Sequence, residues 1–89
     1  MRLPMSTRVL IVDDRPTNLR IYAQFVTLMG DKYSAVTFAD PVEALEWLSD
    51  NDVELMVVDY RMPQMNGAEF IRKVRKMHNA GEVLSLIHI

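Results

Sequence analysis

The chain has 89 residues, 49% of them apolar and 25% charged, a balance that fits one small folded domain and not a disordered segment. A net charge of −2 with no long lysine or arginine run argues against direct nucleic-acid binding or attraction to an anionic membrane surface. Zero cysteines exclude disulfides, thiol catalysis and thiolate metal sites, and no apolar run reaches the ~18 residues of a membrane span. The opening Met1-Arg2-Leu3-Pro4-Met5-Ser6 is too short and interrupted for a signal peptide, so a cytoplasmic, reducing setting is expected.

Residues 1–7 read as a lead-in. Arg8 to Val12 is a continuous apolar run of the kind a strand covered on both faces requires, and it ends in Asp13-Asp14. Pro16 suits the first turn of a helix, where its missing N–H is not needed. Leu19, Tyr22, Ala23, Val26 and Met29 then recur at helical spacing, predicting a helix over 16–29 that Gly30 stops. Ser34 to Phe38 is a short strand. Asp40 can cap the next helix, Pro41 fits its first turn and Glu43 can reach back as in a capping box. Ala44, Leu45 and Leu48 form the apolar face of that helix, with Trp47 on its flank packing against the sheet.

Asp50-Asn51-Asp52 breaks the helix, and the chain enters Leu55-Met56-Val57-Val58-Asp59, a strand predicted over 54–59 and buried on both faces. An acid at the end of such a strand belongs at the carboxyl edge of a parallel sheet, where open α/β folds place their ligands. After a turn at Pro63, the stretch from Gly67 to His78 carries Phe70, Ile71, Val74 and Met77 at helical spacing. Arg72, Lys73, Arg75 and Lys76 fill its solvated outer face, His78 sits near its negative end, and Asn79-Ala80-Gly81 closes it. Val83 to Ile89 reads as the start of a fourth strand. Strictly alternating strands and helices imply a doubly wound parallel α/β sheet with helices on both faces. The seven methionines read as core filler.

Two strands thus end in acid. Taken alone, Asp13-Asp14 fits a helix-capping acid pair, and Asp59 fits a turn-starting aspartate before a proline loop. If the strands are neighbours, however, their axes lie ~4.8 Å apart, and three carboxylates crowd one edge. Like charges at ~4–5 Å repel by several kcal/mol at a partly shielded site, so a proton or a cation must intervene. Carboxylate oxygens with a backbone carbonyl suit Mg²⁺, and such a site can also receive a phosphoryl group on a carboxylate nucleophile.

At these residues the sequence resembles the receiver domain of two-component response regulators. The matching pieces are Val9 to Pro16, Leu55 to Pro63, and Met65-Asn66-Gly67, in the right order and at ordinary spacings over residues 8 to about 82. The resemblance implies that Asp59 is the phosphoacceptor, taking a phosphoryl group from the phosphohistidine of a histidine kinase or phosphotransfer protein. It implies that Asp14 is the direct Mg²⁺ ligand, that Asp13 binds the metal mainly through water, and that the Arg61 carbonyl is the backbone ligand. Met62-Pro63 and Asn66-Gly67 match the loop that shapes the rim. The implied fold is flavodoxin-like, with strand order 2-1-3-4(-5). It is a signalling module and not an enzyme acting on a separate substrate, with an output domain possible in the parent protein. Asn18, after Asp13-Asp14-Arg15-Pro16, resembles receivers joined to cyclic-dinucleotide or hybrid-kinase modules.

Departures from the family pattern carry expectations too. The chain stops in or before strand four, giving a partial receiver domain over 8–83. The family's switch hydroxyl should fall near 87–89, where Ile87, His88 and Ile89 stand, and Ser85 comes early in the strand. The strand-five lysine, the aromatic switch residue and the output face have no counterpart. Two readings of residues 84–89 stand: a fourth strand, or a non-native tail resembling the translation of a sequencing adapter, in which His88 has no function. Impaired activity, marginal stability and self-association through open edges are expected. An aspartate-nucleophile phosphatase of the dehalogenase type needs two acids spaced by one residue, which Asp13-Asp14-Arg15 does not supply. A non-phosphorylated interaction module on the same scaffold is the alternative.

Overall fold

The computed structural model describes residues 7–77 and 85–88. Strand β1 (Thr7–Val12) pairs in parallel with β2 (Tyr33–Phe38) on one side and β3 (Leu55–Val58) on the other. Strand β4 (Ser85–His88) extends the sheet beyond β3, again in parallel, so the order is β2-β1-β3-β4. Helices α1 (Pro16–Leu28), α2 (Pro41–Leu48) and α3 (Gly67–Met77) connect the strands. The element order, the parallel doubly wound sheet and the flavodoxin-like strand order match expectation.

β1 is the central strand, and Val9, Leu10, Ile11 and Val12 are all 0% exposed. Alternate side chains of a strand point to opposite faces, so two cores form. Leu10 and Val12 join Met56, Val58, Ala44, Leu48, Phe70, Ile71 and Val74 beneath α2 and α3. Val9 and Ile11 join Val26 beneath α1, with Leu19, Tyr22, Leu55 and Val57 packed against them.

The second core is the less sealed of the two. Leu55 and Val57 are only half-buried, whereas Met56 and Val58 on the other face are buried. The expectation that β3 is covered on both faces therefore holds on one side only. α1 lies over β1 and β2 and contributes little cover to β3. Met29 is 50% exposed and Met77 41% exposed, although both continued an apolar spacing. Each lies at a helix end, beyond the last buried residue of its helix, Val26 in α1 and Val74 in α3. Only Met56 and Met62 of the described methionines are buried and Met65 is half-buried, so methionine is core filler at some positions and surface at others.

The local signals act where they were read. Gly30 takes φ +124°, a left-handed conformation open to glycine, directly after the α1 C-cap Met29. Asp40 accepts a hydrogen bond from the Val42 N–H at 2.9 Å and caps α2. Among the described residues the reciprocal capping box is not at Glu43. It forms at α3, where Asn66 Oδ1 accepts from the Glu69 N–H at 2.8 Å and Glu69 Oε1 accepts from the Asn66 N–H at 3.1 Å. Arg72, Lys73, Arg75 and Lys76 are exposed, as expected. His78, the Asn79-Ala80-Gly81 helix stop and Ile89 lie outside the described residues.

Candidate functional site

The register of the sheet builds the site. Val12 of β1 pairs with Val58 of β3, so the residues that follow, Asp13 and Asp59, emerge side by side at the carboxyl edge. The ladder continues one step beyond the strands: the Asp59 N–H donates to the Val12 carbonyl at 2.9 Å and the Asp13 N–H to the Phe38 carbonyl at 3.1 Å. The backbones of both acids are thus fixed by the sheet. One oxygen from each of Asp13, Asp14 and Asp59 lies within 4.8 Å of the other two.

The three carboxylates sit in different surroundings. Asp13 is 2% exposed, and both its oxygens are engaged. Oδ1 accepts from the Arg15 N–H at 2.9 Å and Oδ2 from the Asn18 side-chain amide at 3.1 Å. Asp14 is half-buried, and its Oδ1 is shut away from solvent with no hydrogen-bond partner. Asp59 accepts a 3.3 Å hydrogen bond from the Arg61 N–H on Oδ1. Burial pushes the Asp59 carboxyl above its ordinary range; the Arg61 N–H pulls it back, Asp13 and Asp14 push it further up, and the Arg15 charge offsets part of that.

The acid pair is not a helix cap. Arg15 is the N-cap of α1 and no side chain caps that helix. An acid pair serving only the helix would leave no reason for a buried, unpartnered carboxylate oxygen, which is costly unless something binds it. An all-oxygen, anionic, crowded donor set with one open buried oxygen suits a hard divalent cation.

The loop after Asp59 forms the rim. Asp14, Arg15, Tyr60, Arg61, Met62, Pro63 and Asn66 line an open depression of about 480 Å³ beside the acids. Met62, 8% exposed, anchors the loop in the core. The Gly67 N–H donates to the Tyr60 carbonyl at 2.8 Å and seats the start of α3 on the loop. A Cβ on Gly67 would lie 3.0 Å from the Asp59 carbonyl oxygen and 3.1 Å from the Tyr60 Cα, so any larger residue would press on the backbone that carries Asp59. On β4, Ser85 pairs with Leu55, four residues before Asp59 in the register, so it stands well down the strand from the acids.

The sequence reading therefore names Asp13, Asp14, Asp59 and Arg61, and the fold brings all four to one edge. It did not assign Asn18 or Glu69 a part in the site. Both carried a local signal: an amide in the first helical turn after an acid, and an Asn-x-x-Glu pattern before an apolar run.

The family model described as the response regulator receiver domain matches residues 9–87. The chain belongs to that family. Among curated relatives, this receiver domain is 32% identical over 73 residues to the cyclic di-GMP phosphodiesterase response regulator RpfG of Xanthomonas campestris, covering 82% of this chain and 19% of that protein. It is 35% identical over 78 residues to the sensor protein EvgS of Escherichia coli, covering 88% of this chain and 6% of that protein. In three dimensions it resembles a CheY-like receiver domain protein from Methanospirillum hungatei, with a TM-score of 0.81 at 26% identity, covering 93% of this chain and 62% of that one. The chain thus spans a fifth or less of these two curated relatives and about three-fifths of the matched structure. No helix among the described residues is long and apolar enough to cross a membrane.

Proposed function

We propose that this receiver domain accepts a phosphoryl group on Asp59 from the phosphohistidine of a histidine kinase or phosphotransfer protein, with Mg²⁺ held by Asp13, Asp14, Asp59 and the Arg61 carbonyl. The observation that carries the reading is the convergence of three carboxylate oxygens within 4.8 Å, one of them beside an unpartnered buried atom on Asp14.

In the transfer, an Asp59 carboxylate oxygen forms a bond to phosphorus while the bond from phosphorus to the histidine nitrogen breaks. The imidazole leaves with the bonding pair and takes up a proton. Asp59 must be ionised to attack, and its carboxyl is pushed above the ordinary range by burial and by its acidic neighbours. The Arg61 N–H, bonded to Oδ1, holds the carboxylate in place and favours its charged form. Asp14 offers the open oxygen and would be the direct ligand. Asp13, whose oxygens each already accept one hydrogen bond, would act on the ion mainly through water. Bound there, Mg²⁺ would offset the acidic charge and that of the phosphoryl oxygens.

The chain is in this reading a signalling module and not an enzyme acting on a separate substrate. An output or kinase domain joined to it is supported by the much greater length of the relatives. The alternative, an unphosphorylated interaction module, is disfavoured because it leaves three crowded acids without a purpose. Incubation with acetyl phosphate and Mg²⁺, followed by mass spectrometry, tests the proposal. A phosphoryl adduct on Asp59 that disappears in Asp59→Asn is expected; an adduct that survives the substitution contradicts it.

A further inference from the structure

Asp13 is the most buried acid of the site, and its orientation is set by two donors. One is the Arg15 backbone N–H, which any residue but proline would supply at that position. The other is a single side chain, the Asn18 amide, at 3.1 Å from Oδ2. Asn18 lies in the first turn of α1, so the start of the helix carries the amide over the carboxylate. An asparagine there commonly serves the helix backbone. Among the described residues the Asn18 side chain makes no hydrogen bond except the one to Asp13.

Two features give that bond a purpose beyond packing. The donor is neutral, so it fixes Asp13 without offsetting its charge, as a lysine or arginine would. Each Asp13 oxygen accepts one hydrogen bond, and a carboxylate oxygen has two acceptor sites. One site on each oxygen therefore remains, in a direction the two donors determine.

We propose that Asn18 is a positioning residue for the cation site: its amide aligns Asp13 toward the ion shared with Asp14 and Asp59 while leaving the negative charge intact. The inference rests on the cation reading given above. Groups of this kind typically change metal affinity by 10–100-fold when removed.

Titration calorimetry with Mg²⁺ on the 89-residue chain tests it, using Asn18→Ala, the nearly isosteric Asn18→Leu, and Asn18→Gln, which keeps an amide. Circular dichroism without Mg²⁺ reports the fold of each variant separately. Asn18→Ala and Asn18→Leu are expected to bind Mg²⁺ about tenfold more weakly with unchanged dichroism, and Asn18→Gln to lose less. Unchanged affinity in a folded Asn18→Ala or Asn18→Leu overturns the role of Asn18, as does an equal loss in Asn18→Gln and Asn18→Leu. If the unsubstituted chain itself binds no Mg²⁺, the cation reading fails and the role of Asn18 with it.

Discussion

The two ends of β1 solve opposite problems. At its start, Arg8 has partners within the chain: its N–H donates to Glu54 Oε1 at 2.9 Å, and its guanidinium reaches Asn51 Oδ1 at 3.5 Å and lies 5.4 Å above the Trp47 ring. Trp47 is in turn tilted against Phe38 at 5.9 Å. Six residues on, Asp14 keeps a buried oxygen with no partner, and no described cation pairs with Asp13, Asp14 or Asp59 within salt-bridge distance. One end of the strand gives its charged side chain partners within the chain. The other leaves like charges together, a cost that a cation bound there would offset. In the proposed reading, stability and binding are divided between the amino and carboxyl edges of one sheet.

Substitutions at the two edges should therefore act on different measurements. The largest effect is expected from Asp14→Ala, which should weaken Mg²⁺ binding by more than the roughly 10–100-fold that loss of an outer partner costs, read by calorimetry, while the unfolding midpoint without Mg²⁺ does not fall. Gly67→Ala should lower both, because the added Cβ meets backbone at 3.0 Å; overpacking of this kind costs about 1–3 kcal/mol, read by chemical denaturation. Arg8→Ala should cost about 1 kcal/mol through the lost ring contact and packing, with Mg²⁺ affinity unchanged. A change in affinity there would break the division between the edges.

The smallest effect concerns pH. The Asp59 carboxyl is raised in the folded chain, so the native state holds that proton more tightly than the unfolded one. Stability is then lost as pH rises from the ordinary value of 3.8 through the raised value, and the penalty persists at neutral pH. Asp59→Asn should therefore raise the thermal midpoint at pH 7. Below pH 3.8 the gain should vanish, and a thermal melt at each pH checks it.

The carboxyl edge was far more legible in the sequence than the amino edge. Apolar runs ending in Asp13-Asp14 and Asp59 reveal a central sheet because strands covered by helices need continuous apolar residues, and their last positions mark the ligand edge. The Asp40 cap and the Gly30 stop are local and were equally plain. The Arg8–Trp47 contact joins residues far apart in sequence, and no local pattern announces it. Helical spacing marked Met29 and Met77 as inward, yet spacing says nothing about where a neighbouring element ends. The same spacing passed over Ile21, Phe25 and Leu28, which form an exposed apolar stripe on α1. Asp13 was read as a ligand without its holder, since an amide five residues away reaches it only once the turn at Arg15-Pro16 is formed.

A crystal of the chain grown with Mn²⁺, with anomalous scattering locating the ion, tests the shared cation most directly. One peak within about 2.0–2.6 Å of oxygens from both Asp14 and Asp59, the span of hard-cation bonds, is the predicted result. Separate peaks on individual acids, or none at the carboxyl edge at saturating Mn²⁺, would contradict it.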